Sequence, residues 1–157
     1  MNKVIGIVAG FIGGIVLTGV IGWSMMPGMM LDEKVSPYSM EETVTKIKEN
    51  ALSKGWVVPS VSKLHKSVKK HGGGDVLPVM LVNLCQANHA AKMLGNDGAR
   101  VVSVFMPCTI SVYQKSDGKT YISSVNAGLL GKMFGGIVSE VMAEVSTDQE
   151  SFISFAS

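Results

Sequence analysis

Arg100–Gly136, RVVSVFMPCTISVYQKSDGKTYISSVNAGLLGKMFGG, decides the fold, because two strands, a glycine turn and the opening of a helix follow one another without a gap. Arg100 to Met106 is almost continuously apolar and carries β-branched Val101, Val102 and Val104, the pattern of a strand covered on both faces. Pro107 lacks a ladder donor, so a bend or bulge is expected there before Cys108, Ile110 and Val112 alternate with Thr109, Ser111 and Tyr113. Lys115-Ser-Asp-Gly118 has the chemistry of a hairpin loop, with Gly118 free to take positive φ, and Lys119 to Val125 returns as the partner strand. Asn126 then caps a helix whose Leu129, Leu130, Met133 and Phe134 crowd one side, until Gly135-Gly136 weakens or kinks it.

Upstream, Met29 to Val35 reads as the first strand. Ser39-Met-Glu-Glu42 is a capping box opening a helix with an apolar face of Val44, Ile47, Ala51 and Leu52, stopped by Gly55. Trp56 to Val58 begins a second strand. From Ser60 to His71, Val61, Leu64 and Val68 fit a short helix whose other faces carry Lys63, Lys66, Lys69, Lys70, His65 and His71. Such a basic cluster suits anionic lipid headgroups or an acidic partner, or is simply a solvated face. Val76 to Leu84 is a third strand, ending at Cys85 where a helix with Ala87, Ala90, Ala91 and Leu94 takes over as far as Gly95. Downstream, Ile137, Val138, Val141, Met142 and Val145 form a helical stripe, and Thr147 to Glu150 repeats the capping-box spacing before a last short helix with Phe152 and Phe155.

The amino-terminal segment has a different character. Across 157 residues the hydrophobic share is 46% and the mean hydropathy +0.32, high for a soluble domain and pointing to a membrane segment. Val4 to Trp23 contains no charge and, as a helix, reaches about 30 Å, the thickness of a bilayer's hydrocarbon core. Trp23 fits an interfacial anchor, and Lys3 marks the amino end as the cytoplasmic side. The competing reading is a cleaved signal peptide, with Gly22 and Ser24 as the small residues at its cleavage site. The layout is therefore a transmembrane helix over 1–25, a linker and first strand over 26–38, with Pro27-Gly28 ending the helix, and the remainder of the domain over 39–157, the whole domain being 29–157.

Within the span, Gly6, Gly10, Gly14, Thr18 and Gly22 recur every four residues and form a ridge without a large side chain, on which another helix can pack closely. Met25, Met26, Met29 and Met30 offer soft sulfur to Cu(I), or serve as flexible apolar filler at the headgroup boundary. A net charge of +2 and an aromatic content of 6% exclude a nucleic-acid surface.

Several stretches resemble one known family. Ser39-x-x-Glu42-Thr-Val44 with Gly55-Trp56, the strand ending at Cys85 with Ala90 beyond it, Met106-Pro-Cys108-x-Ile110-x-Val112-Tyr113, and Asp117-Gly-Lys-x-Tyr-Ile-Ser123 running into Asn126 and Gly131-Lys-Met-Phe-Gly-Gly136 together resemble the domain of unknown function 302 family. The resemblance spans roughly Met29 to Phe155. It implies a two-layer α+β fold with helices packed on one face of a mainly antiparallel sheet, which agrees with the reading of the elements, and it implies no activity.

The chain has two cysteines, Cys85 and Cys108, which an oxidising compartment would allow to pair. A cysteine opening a helix has a depressed pKa, and if Cys85 lies within the helix, His89, four residues on, shares its face. With Cys108 these make a three-ligand set for copper or zinc, or else two small buried thiols and a surface histidine. No CxxC, CxxCH, HExxH or GxSxG motif occurs. Arg100 is suited to an anionic ligand or a structural ion pair, and Leu129, Leu130, Met133 and Phe134 to a binding surface for a ligand or protein. The expected role is an accessory or interaction subunit without catalysis of its own. It sits in membrane lipid beside a membrane protein partner or its own copies, with the domain on the periplasmic or extracellular side. The alternative is a redox or metal-binding domain built on Cys85, Cys108 and His89.

Overall fold

A computed structural model of the protein describes residues 2–157, except that the side chains of 2–6, 8, 9 and 25–27 lie outside the described residues. Five strands, β1 (Leu31–Ser36), β2 (Val57–Lys63), β3 (Val79–Cys85), β4 (Cys108–Gln114) and β5 (Thr120–Val125), form one sheet in the order β1-β5-β4-β3-β2. Every neighbouring pair is antiparallel. The hairpin expected at the centre is there: β4 and β5 pair from Ile110 opposite Ser124 to Gln114 opposite Thr120, and Gly118 at their turn has φ +78°.

Alternation then sets the layers. Met80, Val82, Leu84, Ile110, Val112 and Ile122 are buried on one face of the sheet, where α2 (Met40–Ser53) and α6 (Gly136–Phe152) cover them. Helix α2 starts at Ser39, whose Oγ accepts from Glu42 N–H at 3.3 Å, the Ser39 half of the expected capping box. The helix supplies Met40, Val44, Ile47 and Ala51, while α6 supplies Val138, Val141, Val145 and Phe152. Each such large side chain, fully buried, contributes about 1.5–3 kcal/mol. Between α5 (Ala127–Phe134), capped by Asn126 Oδ1 on Leu129 N–H at 2.9 Å, and α6, the chain turns on Gly135 and Gly136, both at positive φ.

Four expectations give way. Arg100–Met106 is not a strand: Arg100–Phe105 is a 3-10 helix. Turn bonds from Ala99 and Arg100 N–H to Asn96 O, with Arg100 Nε on Leu94 O at 2.7 Å, carry the winding on from α4 (Ala87–Leu94). Only Val102 of the three valines reaches the core, whereas Val101 and Val104 are exposed. Ser60 to Lys63 belong to β2, because Val61 and Ser62 pair with Val82 and Leu81. The helix expected there is only α3 (Leu64–Lys70). Thr147 lies inside α6, where its hydroxyl donates back to Ala143 O at 3.1 Å rather than capping a new helix. The helix end expected at Pro27-Gly28 falls at Met30, the last residue of α1 (Asn2–Met30).

In α1 the described side chains from Gly10 to Ser24 are all exposed, and a Cβ added at Gly10, Gly14 or Gly22 would meet nothing within 4 Å. Gly6, Met25 and Met26 fall outside the described side chains. Among the described residues no helix is long and apolar enough to cross a membrane. The unbroken described stretch within α1 covers 10–24, shorter than the roughly 20 residues a span takes.

The register also sorts the molecule into two ends. Leu31, where α1 hands over to β1, lies opposite Val125; Cys108 lies opposite Leu84, and Val57 opposite Cys85. These residues share one end of the sheet, the entry end. Ser36, Thr120, Gln114, Val79 and Lys63 mark the far end, with α3 beyond it.

Candidate functional site

At the entry end, between the last residues of β3, the first of β4, α4, α6 and the 3-10 helix, lies an apolar cleft of about 440 Å³. Trp56, Leu84, Met93, Phe105, Val141 and Met142 are among its walls, and Cys85, His89 and Cys108 stand on the same cleft. A smaller recess of about 220 Å³ adjoins it, sharing Phe105, Pro107, Cys108, Met142 and Val145. The combined volume is that of an ordinary small-ligand site.

Local chemistry fixes the polar members. Gln86 Oε1 caps α4 by accepting from His89 N–H at 2.9 Å. The His89 ring packs on Trp56 with centroids 5.8 Å apart, and Trp56 Nε1 donates to Asp148 Oδ2 at 2.8 Å. His89 Nδ1 is buried without a hydrogen bond. Glu144 Oε2 lies 3.4 Å from it, near enough for attraction but not aligned as an acceptor. Both thiols are free. Burial, reinforced by the neighbouring Cys85, pushes the Cys108 thiol up to about 11, so it stays protonated and a poor nucleophile at neutral pH.

Cys85, His89 and Cys108 line the same cleft, yet among the described residues no group of three His, Cys, Asp or Glu side chains is disposed to hold a metal. The candidate surface of α5 divides. Leu130 is core and Leu129 half-buried, while Met133 and Phe134 are exposed, Phe134 facing Phe105 with ring centroids 6.4 Å apart. Arg100 is occupied by Leu94 O and by Asp97 at 2.8 Å. In the basic segment, Lys69 pairs with Asp75 at 2.7 Å, and Val79 N–H donates to His65 Nδ1 at 3.1 Å.

Sequence reasoning missed two things. The cleft's walls come from four separate segments, and no local pattern marks Met93 or Phe105 as neighbours of Trp56. On the open face of the sheet, Tyr113 donates to the Glu33 carboxylate, which also holds Lys115 Nζ at 2.8 Å, and Tyr121 donates to Asp117 at 2.8 Å. Lys115 and Tyr113 hold the Glu33 carboxyl below its ordinary range, and burial with Glu33 pushes Tyr113 up to about 12. These groups satisfy one another and brace β1 to the hairpin.

The family model described as Domain of unknown function DUF302 matches residues 32–154. Among solved structures, the crystal structure of an uncharacterized conserved protein DUF302 from Bacillus stearothermophilus is similar, with a TM-score of 0.70 and 23% identity over 82% of this chain and 99% of that one. At that identity the likeness speaks to the fold alone. No curated protein matches the chain.

Proposed function

The chain belongs to the DUF302 family, and from that premise we propose that it is a membrane-anchored accessory or interaction subunit. In this reading α1 crosses the bilayer with its amino end in the cytoplasm and holds the α+β domain on the periplasmic or extracellular side. The observation that carries the reading is the uncharged run Val4–Trp23, on a helix whose described side chains from Gly10 to Ser24 find no cover in their own chain. Water is a poor solvent for such a helix, and lipid a good one. The small positions Gly10, Gly14, Thr18 and Gly22 then present a face for a second helix, from a membrane protein partner or from another copy. Alkaline carbonate extraction tests the anchor: the chain stays with the membrane pellet, and release into the supernatant defeats the reading. Gly10→Leu with Gly14→Leu tests the partner, since co-purification of the company this helix keeps is lost while insertion is unchanged.

A second reading, a redox or metal-binding domain, is favoured by Cys85, Cys108 and His89 lining one cleft. It predicts that Cys85→Ser or Cys108→Ser changes thiol redox state or bound copper or zinc, and not stability alone.

A further inference from the structure

The exposed apolar side chains of the domain are distributed unevenly along the sheet. Val101, Val104 and Phe105 of the 3-10 helix, Met133 and Phe134 of α5, and Val57 at the start of β2 are all exposed, and all belong to the entry end. The 3-10 helix ends three residues before Cys108, which opens β4 two strands from Leu31, roughly 10 Å across the sheet. Phe134 is tied to that helix by its contact with Phe105, and Met133 lies with Leu129 against Met30, the last residue of α1. Among the described residues at the far end, Leu64, Val76 and Leu77 are comparably exposed, beside charges that include Lys66, Lys69, Lys70, Asp75, Lys115 and Asp117.

A domain that showed this rim to water would carry an apolar patch relieved by Ser103 within the 3-10 helix, Lys132 on α5 and the Asp97–Arg100 pair at its margin. The chain itself indicates what covers it. The rim surrounds the point where an uncharged helix leaves the domain, so any surface that receives α1 is brought against the rim by the covalent connection between Met30 and Leu31.

We infer that the entry end of the sheet is a lipid-contacting surface, with Val101, Val104, Phe105, Met133 and Phe134 seated at the headgroup boundary and the Trp56–Met142 cleft opening beside them. The inference rests on the proposal that α1 crosses the bilayer, and it goes further, because a tether alone would leave the domain free to tumble on its linker. Continuity of α1 into β1, without an intervening loop, is what turns an anchor into an orientation. The apolar rim then contributes affinity in proportion to the area it removes from water.

The test uses the full-length chain reconstituted into liposomes whose phospholipids carry bromine on their acyl chains, with tryptophan emission as the readout. Val104→Trp adds an emitter on the rim at a position 78% exposed, where the larger ring displaces nothing. Leu64→Trp adds one at the far end, and Val101→Trp repeats the rim measurement at a second site. The expected result is that the emission added by Val104→Trp or Val101→Trp loses most of its intensity in brominated lipid, and that added by Leu64→Trp does not. Trp23 reports separately on the anchor, its share being the emission lost in Trp23→Phe. Quenching of Trp23 with no quenching of either rim variant overturns the inference and leaves the anchor standing. Absence of quenching at Trp23 removes the anchor and the inference together. Rim emission that is blue-shifted in native membranes yet unquenched in brominated liposomes assigns the rim to a protein partner, which also overturns it.

Discussion

Cys108 is a thiol that its surroundings keep neutral. Its pKa is pushed up from the ordinary 9.0 to about 11, first by burial and then by Cys85. In the native chain, iodoacetamide should therefore leave Cys108 largely unmodified at pH 8, and labelling should rise steeply above pH 10. In denaturant the same thiol should react at the ordinary rate, as mass spectrometry of the labelled peptides will show. The sign for stability follows. Between pH 9 and 11 the unfolded chain has released this proton and the folded chain has not, so the contribution present below pH 9 is lost as the pH rises. Trp56 is the other residue on which the cleft depends, being 2% exposed with its indole N–H on Asp148. Trp56→Phe keeps most of the apolar contact with Phe152 and removes the donor. A loss of about 1–3 kcal/mol in urea unfolding is expected, the cost of an unmade bond to a charged acceptor together with a partly vacated site.

Among the elements, α5 and α6 meet at a close junction. A Cβ on Gly131 would lie 2.6 Å from Met142 Cβ and 3.3 Å from the Ser139 Cα, so α6 approaches as closely as a bare backbone permits. Gly131→Ala should destabilise the domain by about 1–3 kcal/mol through overpacking, read as a shift of the urea midpoint at unchanged slope. Gly128→Ala is the milder control, since its nearest neighbour, Ser146 Oγ at 3.2 Å, belongs to a side chain that can rotate away. Such pairs explain which elements were legible. The β4–β5 hairpin, the Ser39 and Asn126 caps and the Gly135-Gly136 break are written in local chemistry, and each appears where its residues call for it. The 3-10 helix is not, because three valines in five residues carry strand preference, and the bonds that wind them, to Asn96 and Leu94, come from the preceding turn. Gly131 was visible as a glycine within a helix, but its partner, Met142, is supplied by tertiary packing.

At the scale of the whole molecule, the cleft and the unequal ends of the sheet could not be read from any one segment, since both depend on strand order. Once β1 and β2 are known to be the two edges, the basic segment acquires an address. It lies past the far end of β2, at the opposite edge from β1. Six residues of β1 separate the two ends by roughly 20 Å, more than twice the Debye length of about 8 Å at physiological salt. A bilayer that receives α1 is thus electrostatically remote from Lys66 and Lys70, although the sequence alone left lipid headgroups among their partners. In liposomes at physiological ionic strength, the emission added by Leu64→Trp should keep its wavelength and intensity as neutral lipid is exchanged for anionic lipid. A blue shift that grows with anionic lipid, and disappears when Lys66→Glu and Lys70→Glu are added, would mean that the domain tips over to lay α3 on the membrane. Tipping would have to bend the chain at Met30–Leu31, where helix passes into strand with no residue between them, or within α1 at Pro27-Gly28.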